Sequence, residues 1–264
     1  MLTEAKNQFK VTLLSIKYAL MREMLNKVSF FSNIIFMILN NASFIIQWVV
    51  IYSIKSDVGG YALKDVILLW GMAAFTFGFS RFFFKKAFNL SDTITNGKLD
   101  AFLVQPKDVL LSCITSEVEV SAIGDMLYGI IMLCVYGFTI KNMAIFILLG
   151  ICGGLIVTSI SVIFSSLSFW FRKADMIDDT ANSLMVNFAT YPDGIFKRAA
   201  KIMLYTIVPV GISNYMPVNV IRSFNIYNFF IVIVVAITLV ALSYVIFNRG
   251  LRRYSSSNLM ISRI

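Results

Sequence analysis

The residues that could do chemistry are few, and three acidic ones beside an apolar run stand out. Glu117, Glu119 and Asp125 lie at the start of the apolar stretch 122–138. Carboxylates inside a membrane can carry protons or ions across it. At the membrane surface the same groups pair with Lys or Arg, which is the commoner arrangement. The pattern therefore favours surface ion pairs and leaves an ion path as the alternative.

The sequence contains none of the common catalytic or nucleotide-binding motifs. It has no His, and so lacks the commonest general base and transition-metal ligand. GxxxxGK[ST], HExxH and a Cys/His set for zinc are all absent. Cys113, Cys134 and Cys152 are odd in number and have no paired spacing, which argues against a disulfide framework. We expect no enzyme activity, no bound cofactor and no metal in this chain.

Composition predicts that the lipid bilayer is the solvent for most of this chain. The sequence is 58% hydrophobic and only 14% charged, with a mean hydropathy of +0.80. A soluble domain is usually about 45–50% apolar and about 25% charged. The net charge of +9 is spread over residues that flank apolar runs and does not form one patch. Membrane lipids are therefore the expected partners of these cations, and nucleic acid is not.

Hydrophobic periodicity predicts a helix over 4–22, within an amphipathic segment 1–27. One stripe of this helix is apolar: Phe9, Leu13, Ile16 and Leu20. The neighbouring stripe is basic: Lys6, Lys10 and Lys17. Such a helix can lie in the membrane interface, with its lysines reaching lipid headgroups. The alternative is a solvated helix packed on a partner.

Residues 28–264 are predicted to form an all-α transmembrane domain of six spans. Crossing a ~30 Å hydrocarbon core takes about 20 residues of helix. Five spans follow from apolar runs: 28–54, 66–84, 122–138 as the end of a helix beginning near residue 109, 143–171 and 226–247. Asn40 and Asn41 lie near the middle of the first span and are expected to face protein.

Two segments compete for the fifth span. Residues 202–221 are the more apolar, but they contain residues that break helices or are polar: Pro209, Gly211, Asn214 and Pro217. Residues 176–192 suit only a helix buried in protein, because they carry Asp178, Asp179, Asn182 and Asn187. Either choice places both termini on the same side.

The distribution of Lys and Arg predicts that this side is the cytoplasm. Most of the cations fall in four segments: 1–27, 81–109, 172–175 and 248–264. Loops on the cytoplasmic side carry an excess of Lys and Arg. The same rule slightly favours 202–221 as the fifth span, since that choice moves more cations to the inside.

The polar connection 85–109, between the second and third spans, is far longer than a link between helices requires. It contains the segment ITNGKLDAFLVQP, residues 94–106. No apolar run in it is long enough for a separate domain. A long cytoplasmic connection of this kind is predicted to be a docking element.

This segment resembles the one that follows the second span in ABC-2-type permeases, the membrane subunits of type-2 ABC exporters. The pattern I-x-x-G-x-L-D-x-x-L-x-x-P of their DUF990-like branch, which has six spans, is matched by Ile94, Gly97, Leu99, Asp100, Leu103 and Pro106. A second pattern, with Val208 in place of an Ile, is matched by Phe188, Tyr191, Pro192, Ile195, Phe196, Pro209, Val210, Tyr215 and Pro217. The resemblance covers essentially the whole chain.

The resemblance implies a half-transporter of a bacterial cytoplasmic membrane. Two such chains, identical or paralogous, would pair with two separate ATPase subunits that bind ATP and Mg and drive export of a drug, peptide or lipid-like substrate. It also implies that 176–192 is the fifth span and that 194–221 dips back into the outer leaflet. The implied translocation path includes Asn40, Asn182, Asn187 and Tyr191.

The connection would then hold the coupling helix that docks on the ATPase. The docking residues implied are Ser91, Asp92, Ile94, Asn96, Gly97, Leu99, Asp100, Phe102, Leu103 and Pro106. We expect Ser91 or Asp92 to cap a short helix and Asp100 to pair with an ATPase cation. Phe102 and Leu103 would fill an apolar groove.

Two other functions stay open at this stage. An ion-coupled carrier or channel acting without an ATPase would need membrane-embedded acids or an internal repeat, and no convincing repeat is visible. A membrane scaffold would tolerate replacement of Asp100 and Leu103 without loss of transport.

Overall fold

The computed structural model describes residues 2–171 and 174–255, and within these ranges the chain is helical, without a β-strand. Its first six α-helices are α1 Leu2–Glu23, α2 Lys27–Ile54, α3 Leu63–Phe84, α4 Leu90–Thr95, α5 Asp100–Leu103 and α6 Val109–Ile114. The next six are α7 Ser121–Gly137, α8 Ile140–Ser166, α9 Ala174–Ala189, α10 Arg198–Thr206, α11 Met216–Arg222 and α12 Ile226–Leu251. Two stretches that the charge rule places in the cytoplasm, 172–173 and 256–264, lie outside the described residues.

Four helices of the described chain are long and apolar enough to cross a membrane: α2, α3 with its continuation to Thr95, α8 with its continuation to Phe169, and α12. The apolar helix α7 is shorter, with 17 residues. These findings and the absence of strands in the described ranges confirm the prediction of an all-α membrane protein.

Helix α3 lies at the centre of the bundle and packs against α7 and α8, while α2 packs on α7 and α12 on α8. Glycines allow the closest approaches. A Cβ atom on Gly129 of α7 would lie 2.6 Å from the carbonyl oxygen of Gly71 in α3. Gly150 and Gly154 of α8 lie against the rings of Phe75 and Phe79. The small-residue pair in α8 therefore serves helix packing, as such pairs do in membranes.

The structure excludes 202–221 as a single helix. Helix α10 ends at Thr206, and a π-helical turn over Gly211–Tyr215 precedes α11. Pro209, which has no backbone N–H, lies in the break, and Pro217 lies in the first turn of α11, where proline is tolerated. The competing segment forms one continuous helix, α9, of 16 residues.

The segment from Ser213 to Arg222 runs from mid-bundle back to the end at which α3 begins. Gly153, near the middle of α8, is so close to Ser213 that an added Cβ would lie 2.6 Å from the serine carbonyl oxygen. At the other end, Arg222 Nε lies 3.0 Å from Asp65 Oδ1. Arg222 also donates a 3.0 Å hydrogen bond to the carbonyl oxygen of Gly60. This guanidinium therefore ties α11 to the α2–α3 loop.

The predicted helix from residue 109 into the third span is wrong in one respect. Helix α6 ends at Ile114 and α7 begins only at Ser121. Asp108 caps the start of α6 by accepting a 2.7 Å hydrogen bond from the N–H of Leu111. The residues between the two helices are polar or β-branched and do not continue the helix.

Candidate functional site

The α3–α7 connection, residues 85–120, folds around an apolar cluster of its own. Its buried members come from a 3-10 turn, from α4, from the residue before α5 and from α6: Ala87, Leu90, Ile94, Leu99, Leu110, Cys113 and Ile114. Val162 of α8 and Phe247 of α12 complete the cluster. The connection is therefore packed directly against two long helices of the bundle.

Three polar contacts reinforce this attachment. The hydroxyls of Ser91 and Ser168 lie 2.6 Å apart. The Tyr244 hydroxyl donates to Asp108 Oδ1 at 3.3 Å. The Tyr254 hydroxyl, just beyond α12, donates to Asp100 Oδ1 at 2.9 Å. Burial and this carboxylate raise the pKa of Tyr254 to about 12, so the phenol stays protonated and remains a donor.

The predicted docking residues fall into three groups by exposure. Ser91, Ile94 and Leu99 are buried and support the connection from within. Gly97, Asp100 and Phe102 are half-buried. The exposed group, which a partner could touch, consists of Asp92, Asn96, Leu103 and Pro106. The sequence pattern identified all of these positions, but it did not distinguish residues that could contact a partner from residues that stabilise the connection.

The capping role expected of Ser91 or Asp92 is wrong. Asn89 occupies the N-cap of α4 without a side-chain hydrogen bond. Ser91 instead bonds to Ser168, and Asp92 Oδ2 accepts from Lys98 Nζ at 2.6 Å. The Lys98 hydrogen bond lowers the pKa of Asp92.

Gly97 explains one motif position. Its φ of +71° is in the left-handed region, which residues other than Gly rarely adopt. The turn between α4 and α5 therefore needs glycine here.

The tip of the connection, Leu103 and Val104, is apolar and exposed. Leu103 is 42% exposed and Val104 is 84% exposed. Sequence reasoning missed Val104, because the motif leaves its position unspecified. An apolar residue inside a polar connection was the signal that could have found it.

A groove between α2, α3 and α9 brings together three of the four predicted path residues: Asn40, Asn187 and Tyr191. It encloses about 380 Å³ and is lined by aromatic rings and by polar side chains. Asn182 lies in an adjoining cavity of about 450 Å³, which shares Arg81 and Asn187 with the groove. The four predicted path residues therefore line two adjoining cavities.

The groove carries both charge and unused hydrogen-bonding capacity. Asn41 Nδ2 donates to Asp125 Oδ1 at 2.6 Å. Arg81 lines both cavities and lies 5.6 Å above the ring of Phe88. Trp70 Nε1 is buried and has no hydrogen-bond partner among the described residues. A molecule with apolar surface and a polar or anionic group fits this lining.

Asn182 already has protein partners. It accepts a hydrogen bond from Ser161 of α8 at 2.7 Å and donates to Asp178 at 2.8 Å. Asp178 is buried and also accepts from Ser165. This network joins α9 to α8, so Asn182 holds the wall of the groove in place.

The three acids before and in the first turns of α7 have separate environments. Glu117 forms the predicted surface ion pair, with Lys86 Nζ 2.5 Å away. Glu119 accepts a hydrogen bond from Ser121. Asp125 is buried and lines the groove. They therefore do not form one ion-binding cluster.

Fold and groove define an all-α, multi-pass membrane protein with a structured connection between two of its long helices. The sequence model of one protein family, described as ABC-2 family transporter protein, matches residues 37–258. The chain belongs to this family, whose members are membrane subunits of ABC transporters and work with ATPase partners. Comparison with curated proteins and with solved structures gave no match.

Proposed function

We propose that this chain is the permease subunit of an ATP-driven exporter and that the α3–α7 connection docks a separate ATPase. The proposal is supported mainly by the way in which the connection is packed. It has a buried core shared with α8 and α12, and it presents an exposed apolar tip, Leu103 and Val104. A loop without a packed core would deform when a partner pushed on it. A close-packed connection instead transmits the displacement to the helices it packs against.

In this proposal the partner ATPases bind ATP and Mg, and their closure displaces the tip. The displacement passes through Leu99 and Leu110 to Val162 of α8 and Phe247 of α12, because these side chains share one cluster. Ser91–Ser168 and Tyr254–Asp100 keep the connection from sliding on the helices. Two permease chains, identical or paralogous, then rock against each other.

The groove between α2, α3 and α9 is the proposed part of the translocation path. Helix α2 leaves most of its surface uncovered within this chain, which leaves room for a second permease chain beside the groove. Aromatic walls and polar groups suit an amphipathic drug, peptide or lipid-like substrate. We place the termini in the cytoplasm, which the charge distribution supports. We place residues 194–221 in the outer leaflet, which the approach of Ser213 to Gly153 near the middle of α8 supports.

Copurification tests the docking proposal. The chain is tagged, extracted from native membranes in mild detergent and captured, and its partners are identified by mass spectrometry. We expect an ABC ATPase with the unchanged chain and its loss with Leu103→Asp/Val104→Asp, because two carboxylates cannot enter an apolar groove unpaired. The control Leu103→Met/Val104→Ile keeps the apolar tip and should retain the ATPase.

Absence of an ATPase from the captured material, even after crosslinking, would contradict the proposal. Transport that persists without any ATPase would then favour an ion-coupled carrier, and the membrane-embedded Asp125 and Asp178 would be the residues to replace first.

A further inference from the structure

Helix α1 turns a polar face toward the α3–α7 connection. Gln8 Oε1 accepts a 3.2 Å hydrogen bond from the N–H of Asp108. Ser15 Oγ donates to the carbonyl oxygen of Thr115 at 3.3 Å. Phe9 and Leu13 of the predicted apolar stripe are exposed, whereas Ile16 and Leu20 are half-buried. The helix therefore lies against the connection and offers part of its apolar side to the surroundings.

A cavity of about 540 Å³ lies between α1 and the connection. Arg22 and Lys107 are the two cations that line it, beside the apolar groups of Leu14 and Tyr18. A smaller cavity of about 220 Å³ adjoins it and shares Lys107. Ser112 lines the smaller cavity, and its hydroxyl is buried with no partner among the described residues.

The nearby acids do not neutralise the two cations. Burial acts to raise the pKa of Glu117, but the hydrogen bond and charge of Lys86 outweigh it, and the pKa lies below its usual range. Glu117 is hydrogen-bonded to Lys86, and Arg22 makes a smaller contribution to lowering its pKa. Glu23 lies 3.8 Å from Arg22, but both side chains are largely exposed, so this pair is weak.

We propose that this cavity binds the phosphate of an anionic membrane phospholipid. Arg22 and Lys107 supply charge-assisted hydrogen bonds to the phosphate oxygens in the larger cavity. Ser112, in the adjoining smaller cavity, supplies a hydroxyl donor to the rest of the headgroup. The acyl chains lie along the exposed apolar residues on the cavity side of α1, which are Leu14, Tyr18 and Met21. A lipid, rather than a free anion, fits because exposed apolar side chains, Leu14 and Tyr18, line the same cavity as the two cations.

Occupancy of this site would brace the connection against α1. The smaller cavity is also lined by Phe102 and Gln105, which adjoin the apolar tip. If the chain has the proposed function, anionic lipid is expected to increase ATP hydrolysis by the assembled transporter; this expectation rests on that function. The binding claim itself needs no ATPase.

The test uses the purified full chain alone, in uncharged detergent. It is titrated with dihexanoyl phosphatidylglycerol, dihexanoyl phosphatidylcholine or inorganic phosphate, and the midpoint of thermal unfolding is followed. A ligand that binds the folded state raises this midpoint in proportion to its affinity. We expect a saturable rise with phosphatidylglycerol and none with phosphatidylcholine or phosphate.

Variants locate the site. Arg22→Gln/Lys107→Gln should weaken the apparent affinity for phosphatidylglycerol about tenfold or more, because two charge-assisted contacts are lost. Lys10→Gln/Lys17→Gln removes the same charge from α1 outside the cavity and should leave the affinity unchanged. Lys107→Arg keeps the positive charge and should retain the affinity, which controls for a folding defect caused by substitution at this position.

Three results would overturn the proposal. Equal shifts with both lipids would indicate detergent-like binding without headgroup recognition. A full shift with phosphate would indicate a free-anion site. Unchanged affinity in Arg22→Gln/Lys107→Gln would place the lipid elsewhere on the chain. None of these results bears on ATPase docking, which the copurification assay tests separately.

Discussion

At the scale of single residues, Asp100 shows how far a motif can be interpreted. Its position in the resemblance pattern implied a partner across an interface. In the folded chain its carboxylate accepts from Tyr254, 154 positions away in the sequence. No local pattern announces a contact at that distance. The ion pair expected for Glu117 could be predicted, because an acid at a membrane surface with Lys nearby has one favourable arrangement.

Cys113 provides a test of the core of the connection. Its thiol is completely buried, and burial raises its pKa to about 12. With Cys134→Ser and Cys152→Ser in place, we expect Cys113 to resist maleimide at pH 8, since little thiolate forms and the reagent cannot reach it. A cysteine at the exposed position 95 (Thr95→Cys) should label promptly in the same background.

The same thiol carries a pH dependence whose sign is fixed. An unfolded thiol ionises near its usual pKa of about 8.5, before the folded one does. The unfolded state therefore loses its proton first, and the contribution of Cys113 to stability falls as the pH rises above that value.

In the labelling experiment, rapid reaction of native Cys113 with maleimide at pH 8 would mean that the connection is not packed.

At the scale of elements, hydropathy and helix-breaking residues gave opposite predictions for 176–221. The apolar segment 202–221 does not form one continuous helix, because Pro209 interrupts its backbone hydrogen bonds. The polar segment forms α9 because α8 supplies partners for it, among them Ser161 and Ser165. A sequence shows the polar groups of α9 but not the hydroxyls that satisfy them.

The contact between α3 and α7 depends on glycine. Gly129→Val would drive a side chain into the backbone of Gly71 and the Cβ of Phe75. Such overpacking typically costs about 1–3 kcal/mol. We expect a lower midpoint of thermal unfolding in detergent. Ile131→Phe enlarges an exposed position of the same helix and should leave the midpoint nearly unchanged.

An unchanged midpoint for Gly129→Val would show that α3 and α7 separate easily, contrary to the tight packing described. A similar loss in both variants would instead point to a general sensitivity of α7.

At the scale of the whole molecule, composition alone was enough to assign the class of fold. The apolar runs located α2, α3, α8 and α12, which are long and apolar enough to cross a membrane within the described ranges. The groove could not be derived in this way. Asn40 and Asn187 are 147 positions apart, and only the packing of α9 beside α2 brings them together. Six spans and cytoplasmic termini stay predictions.

Labelling in intact cells tests the orientation. In a Cys134→Ser background, a membrane-impermeant maleimide should label Lys55→Cys, in the α2–α3 loop, from outside. It should label Val104→Cys only after the cells are permeabilised, because the connection is placed in the cytoplasm. The opposite pattern would invert the topology and remove the tip from the reach of any cytoplasmic ATPase.

The most direct measurement of the central claim is a photo-crosslink from the tip itself. A photoreactive amino acid is placed at position 104 of the full chain in native membranes, and at Ile147 of α8 as the control. The account predicts that illumination joins the chain to an ABC ATPase from position 104 and not from position 147. If position 104 gives only lipid adducts, or no adduct that contains an ATPase, the connection is not the docking element.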